Sequence, residues 1–248
     1  MTEQSVSAHG FFGRLRALDR IVHQNLRIDR RAGYGFARSL LMVPLTLSDF
    51  APAARDYPIV FVGSPAQPFA LLGLRRQRNL LVGDDGQWLK GRYVPNHLRS
   101  YPFGYAEAQG SHIVVCIDEA ADHFSPDRQH GSEALFTDGQ PSPLVNEMLD
   151  YLTRLHLEVQ QMAGFAAAIA EAQLLIERKA EVTLADGERL GMDGFLVVDE
   201  AKFNALPDKT FLDWRGRGWL AAVYFHLQSM ANFANLVDWA SERKAAAG

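Results

Sequence analysis

The patterning of the chain changes from strand-like to helical at the stretch Ser142-Pro-Leu-Val-Asn-Glu-Met-Leu-Asp-Tyr-Leu-Thr-Arg-Leu-His-Leu-Glu-Val-Gln-Gln-Met162. Serine followed by proline is typical of a helix start, with Ser142 as the N-cap and Pro143 in the first turn. The apolar residues that follow recur three or four positions apart and therefore share one helix face: Val145, Met148, Leu149, Leu152, Leu155, Val159 and Met162. This stripe continues to Gln173, so we expect a helix of roughly 30 residues that bends at Gly164.

The residues before this stretch are organised as short apolar runs separated by turn residues, which predicts a mainly antiparallel β region. The turn Gly83-Asp84-Asp85-Gly86 predicts a hairpin, because Asp and Gly tolerate positive φ. A second hairpin is predicted to turn over Glu107–Gly110. The predicted strands are Ile59–Val62, Phe69–Leu74, Leu80–Val82, Gln87–Tyr93, Tyr101–Ala106 and His112–Ile117.

The residues after the long helix predict a further hairpin and then helices. The hairpin is formed by Glu181–Leu184 and Gly194–Val198 around the Asp186-Gly187 turn, and Asp199 caps a short helix. A final helix runs from about Trp219 to Arg243. It includes 19 residues without Asp, Glu, Lys or Arg, but its polar residues, among them His226, Ser229 and Asn232, argue against a membrane span.

These patterns together predict an α+β fold, with an antiparallel sheet or partial barrel in the first half and long helices packed on it. We expect residues 1–248 to form a single domain, β-rich over 11–137 and helix-rich over 142–245. The apolar stripes of the two major helices are compatible with burial inside one chain and with a homodimer. The sequence leaves both alternatives open.

The composition is that of a folded protein: 248 residues, 48% of them apolar and 22% charged, which excludes wholesale disorder. The one cysteine, Cys116, cannot form an internal disulfide, and it lies in the apolar run His112–Ile117. A reducing compartment is the simplest interpretation. The first 13 residues have no basic-then-apolar leader, so we expect a cytoplasmic protein.

The charge is distributed unevenly along the chain. Up to Pro102 there are 14 Lys+Arg, nearly all arginine, and 7 Asp+Glu, whereas the remainder has 11 Lys+Arg and 22 Asp+Glu. The two halves either attract each other, offer a basic face to an anionic partner, or are ordinary solvated surface. The overall net charge of −4 indicates neither a nucleic-acid partner nor a membrane.

The densest group of candidate binding residues lies between Trp88 and Phe103. Aromatic rings interleaved with guanidinium groups can form a recognition surface through stacking, cation–π contacts and bidentate anion binding. For each aromatic residue taken alone, packing in the core is the competing interpretation. The candidate ligand-binding residues are Trp88, Arg92, Tyr93, His97, Arg99, Tyr101 and Phe103.

An alternative site of a different kind consists of His112, Asp118 and His123, whose side chains are suitable for iron or zinc ligation. Their spacing matches no tight metal-binding signature. The chain also lacks a Gly-x-Gly-x-x-Gly motif, a phosphate-binding loop and a Gly-x-Ser-x-Gly elbow, so no cofactor is expected and no catalytic residue is nominated.

Several stretches of the chain resemble the SapC-like family, which is named after a surface-layer locus and is distinct from the peptide-transporter permeases of the same name. The resemblance lies in His23–Arg27, Asp56–Phe61, Tyr93–Phe103, Cys116–Asp118 and His226–Ser229, and so extends over nearly the whole chain. It implies a bacterial cytoplasmic protein, often encoded beside TonB-dependent receptors, halogenase-like proteins and cupin-like oxygenases. It implies an accessory role in uptake or modification and does not supply an activity.

The residues and the resemblance together predict a non-enzymatic accessory or recognition protein. It would bind a peptide, a protein or an acidic small ligand, with Arg92 and Arg99 holding a carboxylate while Trp88, Tyr93 and Tyr101 stack. A metal-dependent oxygenase or hydrolase that uses His112, Asp118 and His123 is the alternative. A purely structural subunit of a larger complex is the third possibility.

Overall fold

The computed structural model describes residues 10–108, 112–125, 132–183 and 187–245. It contains 37% helix and 27% strand, which confirms the predicted α+β class. The strands are β1 (Leu15–Ala17), β2 (Arg27–Ile28), β3 (Met42–Pro44), β4 (Ile59–Val62), β5 (Gln67–Leu71), β6 (Phe103–Glu107), β7 (Ile113–Asp118), β8 (Phe124–Ser125), β9 (Glu133–Ala134), β10 (Phe136–Thr137), β11 (Gln140–Pro141), β12 (Leu175–Thr183) and β13 (Arg189–Val198). The helices are α1 (Phe50–Ala53), α2 (Asn96–Arg99), α3 (Pro143–Glu171), α4 (Glu200–Asn204), α5 (Asp208–Gly216), α6 (Trp219–Ser229) and α7 (Phe233–Ala245).

The strand pairs are antiparallel and belong to several small sheets within the described ranges. The largest sheet has the order β12-β13-β4-β5-β3, and so joins strands from both halves of the chain. A second sheet has the order β1-β7-β6, and a third has the order β8-β2-β9. The hairpin β12–β13 is longer than predicted and meets β4 at the Leu196–Phe61 pair. Its predicted turn at Asp186-Gly187 begins outside the described residues.

The two hairpins predicted in the first half have different outcomes. β6 and β7 pair as expected, with Tyr105 opposite Val115. The loop that joins them includes 109–111, which lie outside the described part of the chain. The other hairpin is confirmed at its turn only. The N–H of Gly83 donates to the carbonyl of Gln87 and that of Leu89 to the carbonyl of Leu81, at 2.8 and 2.7 Å, but the two segments pair at a single bridge, between Val82 and Trp88.

Side chains replace the strand ladder after Trp88. The backbone N–H of Tyr93 donates to Asp56 Oδ2 at 2.8 Å, and the carbonyl of Tyr93 accepts from Trp88 Nε1 at 3.0 Å. The hydroxyl of Tyr57 also donates to that carbonyl. The backbone of Tyr93 is therefore satisfied by neighbouring side chains, and a ladder partner is not required.

The long helix α3 is confirmed at 29 residues. Ser142 stands at its N-cap position, but the hydroxyl makes no capping hydrogen bond. Leu152, Leu155 and Met162 are buried along the predicted stripe, whereas Leu149 is 39% exposed. Most side chains of the apolar stripe therefore pack in the core of this chain.

The predicted final helix is interrupted. α6 ends at Ser229, a 3-10 turn covers Met230–Asn232, and α7 follows. Asn232 Nδ2 donates to the carbonyls of Ala54 and Tyr57, at 2.7 and 3.2 Å. These bonds hold the 3-10 turn against the segment that precedes β4. Local patterning predicts one continuous helix here, and the tertiary hydrogen bonds of Asn232 accompany its interruption. In the described ranges no helix has the length and apolar character needed to cross a bilayer.

The largest core cluster contains residues from both halves of the chain, from Ala37 to Leu236. A second cluster lies between β6, β7 and the first part of α3, and includes Phe103 and Leu144. Leu98 belongs to the first cluster and faces the same cavity as these two residues. A cavity therefore lies where the two core clusters meet.

Candidate functional site

The structure places the predicted cluster Trp88–Phe103 in several different environments. Three of its members are buried, at 8%, 4% and 2% exposure: Trp88, His97 and Phe103. Tyr93 and Tyr101 are half-buried, and Arg92 and Arg99 are exposed. The residues therefore do not form one continuous ligand-facing surface.

Trp88 supports the neighbouring loop. Its Nε1 donates to the carbonyl of Tyr93 and lies 3.3 Å from the hydroxyl of Tyr57. Tyr34 packs against the ring edge-on, with a centroid separation of 5.5 Å. Since the indole is buried among these groups, it has no free face on which a ligand can stack.

Arg92 and Arg99 face different surroundings, although they are only seven positions apart. Arg92 Nη1 lies 3.1 Å from Asp56 Oδ1, and its guanidinium lies over Trp239 at 5.0 Å. Arg99 Nε donates to the carbonyl of Val94 at 2.6 Å, and its guanidinium lies over the ring of Tyr93 at 4.7 Å. Arg92 thus forms an ion pair with the buried Asp56, whereas Arg99 borders a cavity.

The cavity has a volume of about 230 Å³ and lies between the loop after β2, the segment around α2, and the start of α3. Its lining includes both aliphatic side chains and aromatic rings. Its cationic and ring-bearing lining residues include Arg30, Tyr34, Phe36, Arg99, Tyr101 and His123. Of the predicted binding residues, the cavity therefore brings together Arg99, Tyr101 and Phe103, with His123 added from the metal alternative.

The charge of the cavity is one-sided. Its described lining contains Arg30 and Arg99 and no carboxylate. Arg30 lies 3.9 Å from Glu133, with both side chains more than half exposed, so this ion pair is weak. Arg99 forms no ion pair with a carboxylate of the described ranges. The cavity is therefore electrostatically suited to an anion.

His123 lines the cavity, and its ring is held by the backbone of Gly33. Its Nε2 lies 3.0 Å from the carbonyl oxygen of Gly33, which can only accept, so Nε2 carries the proton. Nδ1 is then a lone-pair acceptor, and it is buried without a hydrogen-bond partner among the described residues. Burial lowers the pKa of His123, which keeps the ring neutral near pH 7.

Tyr101 connects the cavity to the N-terminal strand. Its ring stacks on Phe36 at 3.7 Å and meets the edge of His123 at 5.1 Å. Its hydroxyl donates to Asp118 Oδ2 at 3.1 Å. Burial and, next, the charge of Asp118 raise the pKa of Tyr101, so the hydroxyl stays protonated and serves as a fixed donor.

Asp118 is saturated by hydrogen bonds. Its oxygens accept from the backbone N–H groups of Gly13, Arg14 and Ala120, in addition to Tyr101. Burial acts to raise the pKa of Asp118, but these donors outweigh it and hold the pKa below its usual value. The carboxylate therefore anchors the N-terminal segment on β7.

The three residues of the metal alternative are not brought together. His112 is exposed just before β7, and Asp118 ends that six-residue strand, which corresponds to a separation of roughly 20 Å. Asp118 is occupied by protein donors, and His123 faces the cavity. Within the described ranges no group of three His, Cys, Asp or Glu side chains is placed to hold a metal ion. The buried Cys116 has a pKa raised by burial, which fits a core residue.

Sequence reasoning missed the part of the site that lies between Arg30 and Phe36. Tyr34 and Phe36 alternate with glycines in the string Gly33-Tyr-Gly-Phe36, and this alternation was the available signal. Met148 reaches the cavity from the first turns of α3, where it reads as one more member of the apolar stripe. No local sequence pattern indicates that the segment from Arg30 to Phe36, or Met148, lies near Arg99.

The fold and the site define an α+β protein with an aromatic cavity bordered by arginine. The chain belongs to the SapC family, whose family model matches residues 18–236 and so includes every cavity residue named above. This match confirms the resemblance. Comparisons with curated proteins and with solved structures found no match.

Proposed function

We propose that this protein is a non-enzymatic recognition protein that binds an acidic small ligand in the cavity beside Arg99. The observation that carries the proposal is the one-sided charge of the described lining, where Arg30 and Arg99 accompany aromatic rings without a carboxylate. An Arg guanidinium binds carboxylates in a planar, bidentate manner, and a cation held over a ring is already oriented. Arg99 is held in this way by Tyr93 and Val94.

The size of the cavity favours a small acid over a folded partner. Its volume of about 230 Å³ lies below the range of roughly 300–1,000 Å³ that is typical of small-molecule sites. The wider expectation of a peptide or protein ligand therefore has less support than a small acid.

The chemistry of the lining supports binding more than covalent catalysis. The hydroxyl of Ser100 donates to the carbonyl of His97 at 3.0 Å, and that of Tyr101 donates to Asp118. Both hydroxyls use their protons within the protein. Ser100 is paired with a carbonyl and not with a base, and Asp118 is a weak base for Tyr101, because its pKa is lowered while burial raises the pKa of the Tyr101 hydroxyl. The accessory role, in a bacterial cytoplasm and beside uptake or modification systems, is supported by family membership and by the free, buried Cys116.

The test compares Arg99→Ala, which removes the cation beside the cavity, with Arg92→Ala, which removes a cation that is paired with Asp56. Titration calorimetry would measure binding of benzoate, phenylacetate, 3-phenylpropionate, succinate and glutarate. We expect at least one acid to bind to the wild type and to Arg92→Ala, and to bind about ten-fold or more weakly to Arg99→Ala, the loss of one charge-assisted contact. Arg99→Lys would recover part of the affinity, because it restores charge without the planar fork.

Melting temperatures complete the comparison. Arg92→Ala leaves the buried Asp56 without its cation, so we expect it to lower the melting temperature more than Arg99→Ala does. Binding that is equal in Arg99→Ala and the wild type, or no binding of any acid, would overturn the proposal.

A further inference from the structure

We propose that a second cavity binds a small amphiphile, whose aliphatic chain enters the protein while its uncharged polar head stays at the surface. This cavity, hereafter the sheet cavity, is lined by the hairpin β12–β13, by β3, β4 and β5, and by the loop that follows β5. Among the described residues it shares no lining residue with the cavity beside Arg99. The inference therefore goes beyond the proposed function and can fail independently of it.

The first argument is that the largest sheet is apolar on both faces. The pairs Val60–Phe69 and Met42–Leu71 place these four residues on one face, together with Val62. The other face packs in the largest core cluster. An antiparallel sheet that buries one face usually carries polar residues on the other. Here that second face is apolar, and Met42 and Val62 on it are only half-buried, so it can still bury a further apolar group.

The second argument is how the hairpin β12–β13 encloses this face. β13 pairs with β12 along most of its length but with β4 only at Leu196–Phe61. Gly194, two residues before that pair, has a φ of 76°, a left-handed conformation that favours glycine and lets the strand leave the plane of the sheet. Near the far end of the hairpin, Glu188 accepts a hydrogen bond from Arg75 in the loop after β5. The hairpin thus leaves β4 and is tied to the other side of the sheet, and the sheet cavity lies between.

The third argument is the size and composition of the sheet cavity. Its volume of about 560 Å³ lies within the range of roughly 300–1,000 Å³ that is typical of small-molecule sites. Phe195 is the one aromatic residue of its described lining, and the other apolar residues are aliphatic. Half-buried Leu190 and Met192 of β13 form the wall opposite the sheet. Leu and Met side chains adapt to a flexible chain better than to a rigid ring system.

The charged residues of the lining favour an uncharged head group. Arg75, Arg76 and Asp193 are exposed, so they lie where the sheet cavity meets solvent. Glu188 pairs with Arg75, so these two cations are balanced by two carboxylates. The edge of the cavity therefore has no net charge that would select an anion or a cation. Binding energy would come from the chain, through the burial of its CH₂ groups.

The experiment measures binding of 1-hexanol, 1-heptanol and 1-octanol to the full chain by titration calorimetry. We expect one site per chain and an affinity that rises about four-fold with each added carbon, the equivalent of about 0.8 kcal/mol per buried CH₂. The heat-capacity change on binding should be negative, as it is when apolar surface is buried.

A matched pair of variants locates the site. Leu190→Gln puts an amide into the apolar wall, so we expect 1-octanol to bind about ten-fold more weakly. Leu157→Gln makes the same change at a 51% exposed position of α3 that does not line the sheet cavity, and it should leave the affinity unchanged. Val62→Thr, which keeps the side-chain volume and adds a hydroxyl, replaces Leu190→Gln if that variant does not fold, and it should also weaken binding.

The inference is overturned if none of the alcohols binds, or if affinity does not rise with chain length. It is also overturned if the folded lining variant binds 1-octanol as tightly as the wild type, or if Leu157→Gln weakens binding as much as the lining variant does, which would indicate adsorption at the surface. Since Arg99→Ala leaves the sheet cavity intact, it should bind 1-octanol like the wild type, and the proposed function is tested separately by the acids.

Discussion

The side chain of His226 accepts a hydrogen bond from the backbone N–H of Val198, at 3.0 Å from Nε2. Its Nδ1 lies 2.8 Å from the carbonyl oxygen of Ile59, so the proton is on Nδ1. One imidazole of α6 therefore satisfies backbone groups of both β13 and β4, next to the point where these strands pair. The family-like string His226–Ser229 thus has a structural use, because Ser229 Oγ also accepts from the backbone N–H of Ile59.

The first prediction concerns stability at low pH. Burial lowers the pKa of His226 to about 4, below the value of about 6.5 for an unfolded histidine. Between these values the unfolded chain binds the extra proton, so stability is full above pH 6.5 and is lost as pH falls towards 4. We expect urea denaturation to give about 2 kcal/mol less stability from this group near pH 5 than near pH 7.5.

The control for that measurement is His226→Gln, which keeps an acceptor for Val198 and does not titrate. It should be less stable than the wild type near pH 7.5, but its stability should fall less between the two pH values. An equal fall in the two proteins would show that other groups cause the acid sensitivity.

The elements that could be predicted are those that local patterning encodes. The helix α3 and the hairpin β6–β7 each bury a regular stripe, so their periodicity is visible in the sequence. The interruption between α6 and α7 was not predictable, because it depends on bonds from Asn232 to Ala54 and Tyr57, which lie far away in the chain. The predicted strand ends early, after Trp88, for a similar reason, since Asp56 accepts the hydrogen bond of the backbone N–H of Tyr93.

The second prediction tests the anchoring role of Asp118. Asp118→Ala leaves the backbone N–H groups of Gly13 and Arg14 and the hydroxyl of Tyr101 without their acceptor. We expect a loss of about 2–3 kcal/mol in unfolding free energy and faster tryptic cleavage at Arg14 and Arg16. Asp122→Ala, at an exposed neighbouring aspartate, is the control. Unchanged cleavage in Asp118→Ala would contradict the anchoring role.

The candidate site was predictable only in part. Arg99 and Tyr101 stand out as a cation and a ring in one short segment, and both line the cavity. Arg92, by contrast, contacts Asp56 and Trp239. No pattern near Arg92 in the sequence reveals these contacts. A cavity between two cores is a property of three-dimensional packing, so its walls combine segments that local patterning does not connect.

The third prediction concerns Asp49, which is fully buried and joins the segment after β3 to the loop before α2. Oδ2 accepts from the backbone N–H and the hydroxyl of Thr46, and Oδ1 accepts from the hydroxyl of Tyr93 and the backbone N–H of Asn96. In Asp49→Asn an amide nitrogen would face donors that now bind to an oxygen. We expect a loss of about 2–3 kcal/mol in unfolding free energy, measured by urea denaturation.

The control for Asp49→Asn is Asp84→Asn, at an exposed loop position whose contact with Arg38 runs through the backbone oxygen. It should change stability by less than about 0.5 kcal/mol. If the two variants were equally stable, the hydrogen bonds of Asp49 would contribute nothing net.

The fourth prediction compares two glycines beside the cavity. Gly33 has a φ of 77°, and a Cβ there would lie 2.6 Å from Gln87 Nε2 and 2.8 Å from the carbonyl oxygen of Gly86. The side chain of Gln87 can move, but the backbone of Gly86 cannot move without disturbing the turn that it ends. Gly33→Ala should therefore cost about 2 kcal/mol and shift the carbonyl that fixes His123. Gly35→Ala meets nothing within 4 Å, so it should leave stability within about 0.5 kcal/mol and leave binding of the acid that the wild type binds unchanged. Calorimetry on both variants with that acid would contradict this prediction if Gly33→Ala bound it as tightly as Gly35→Ala does.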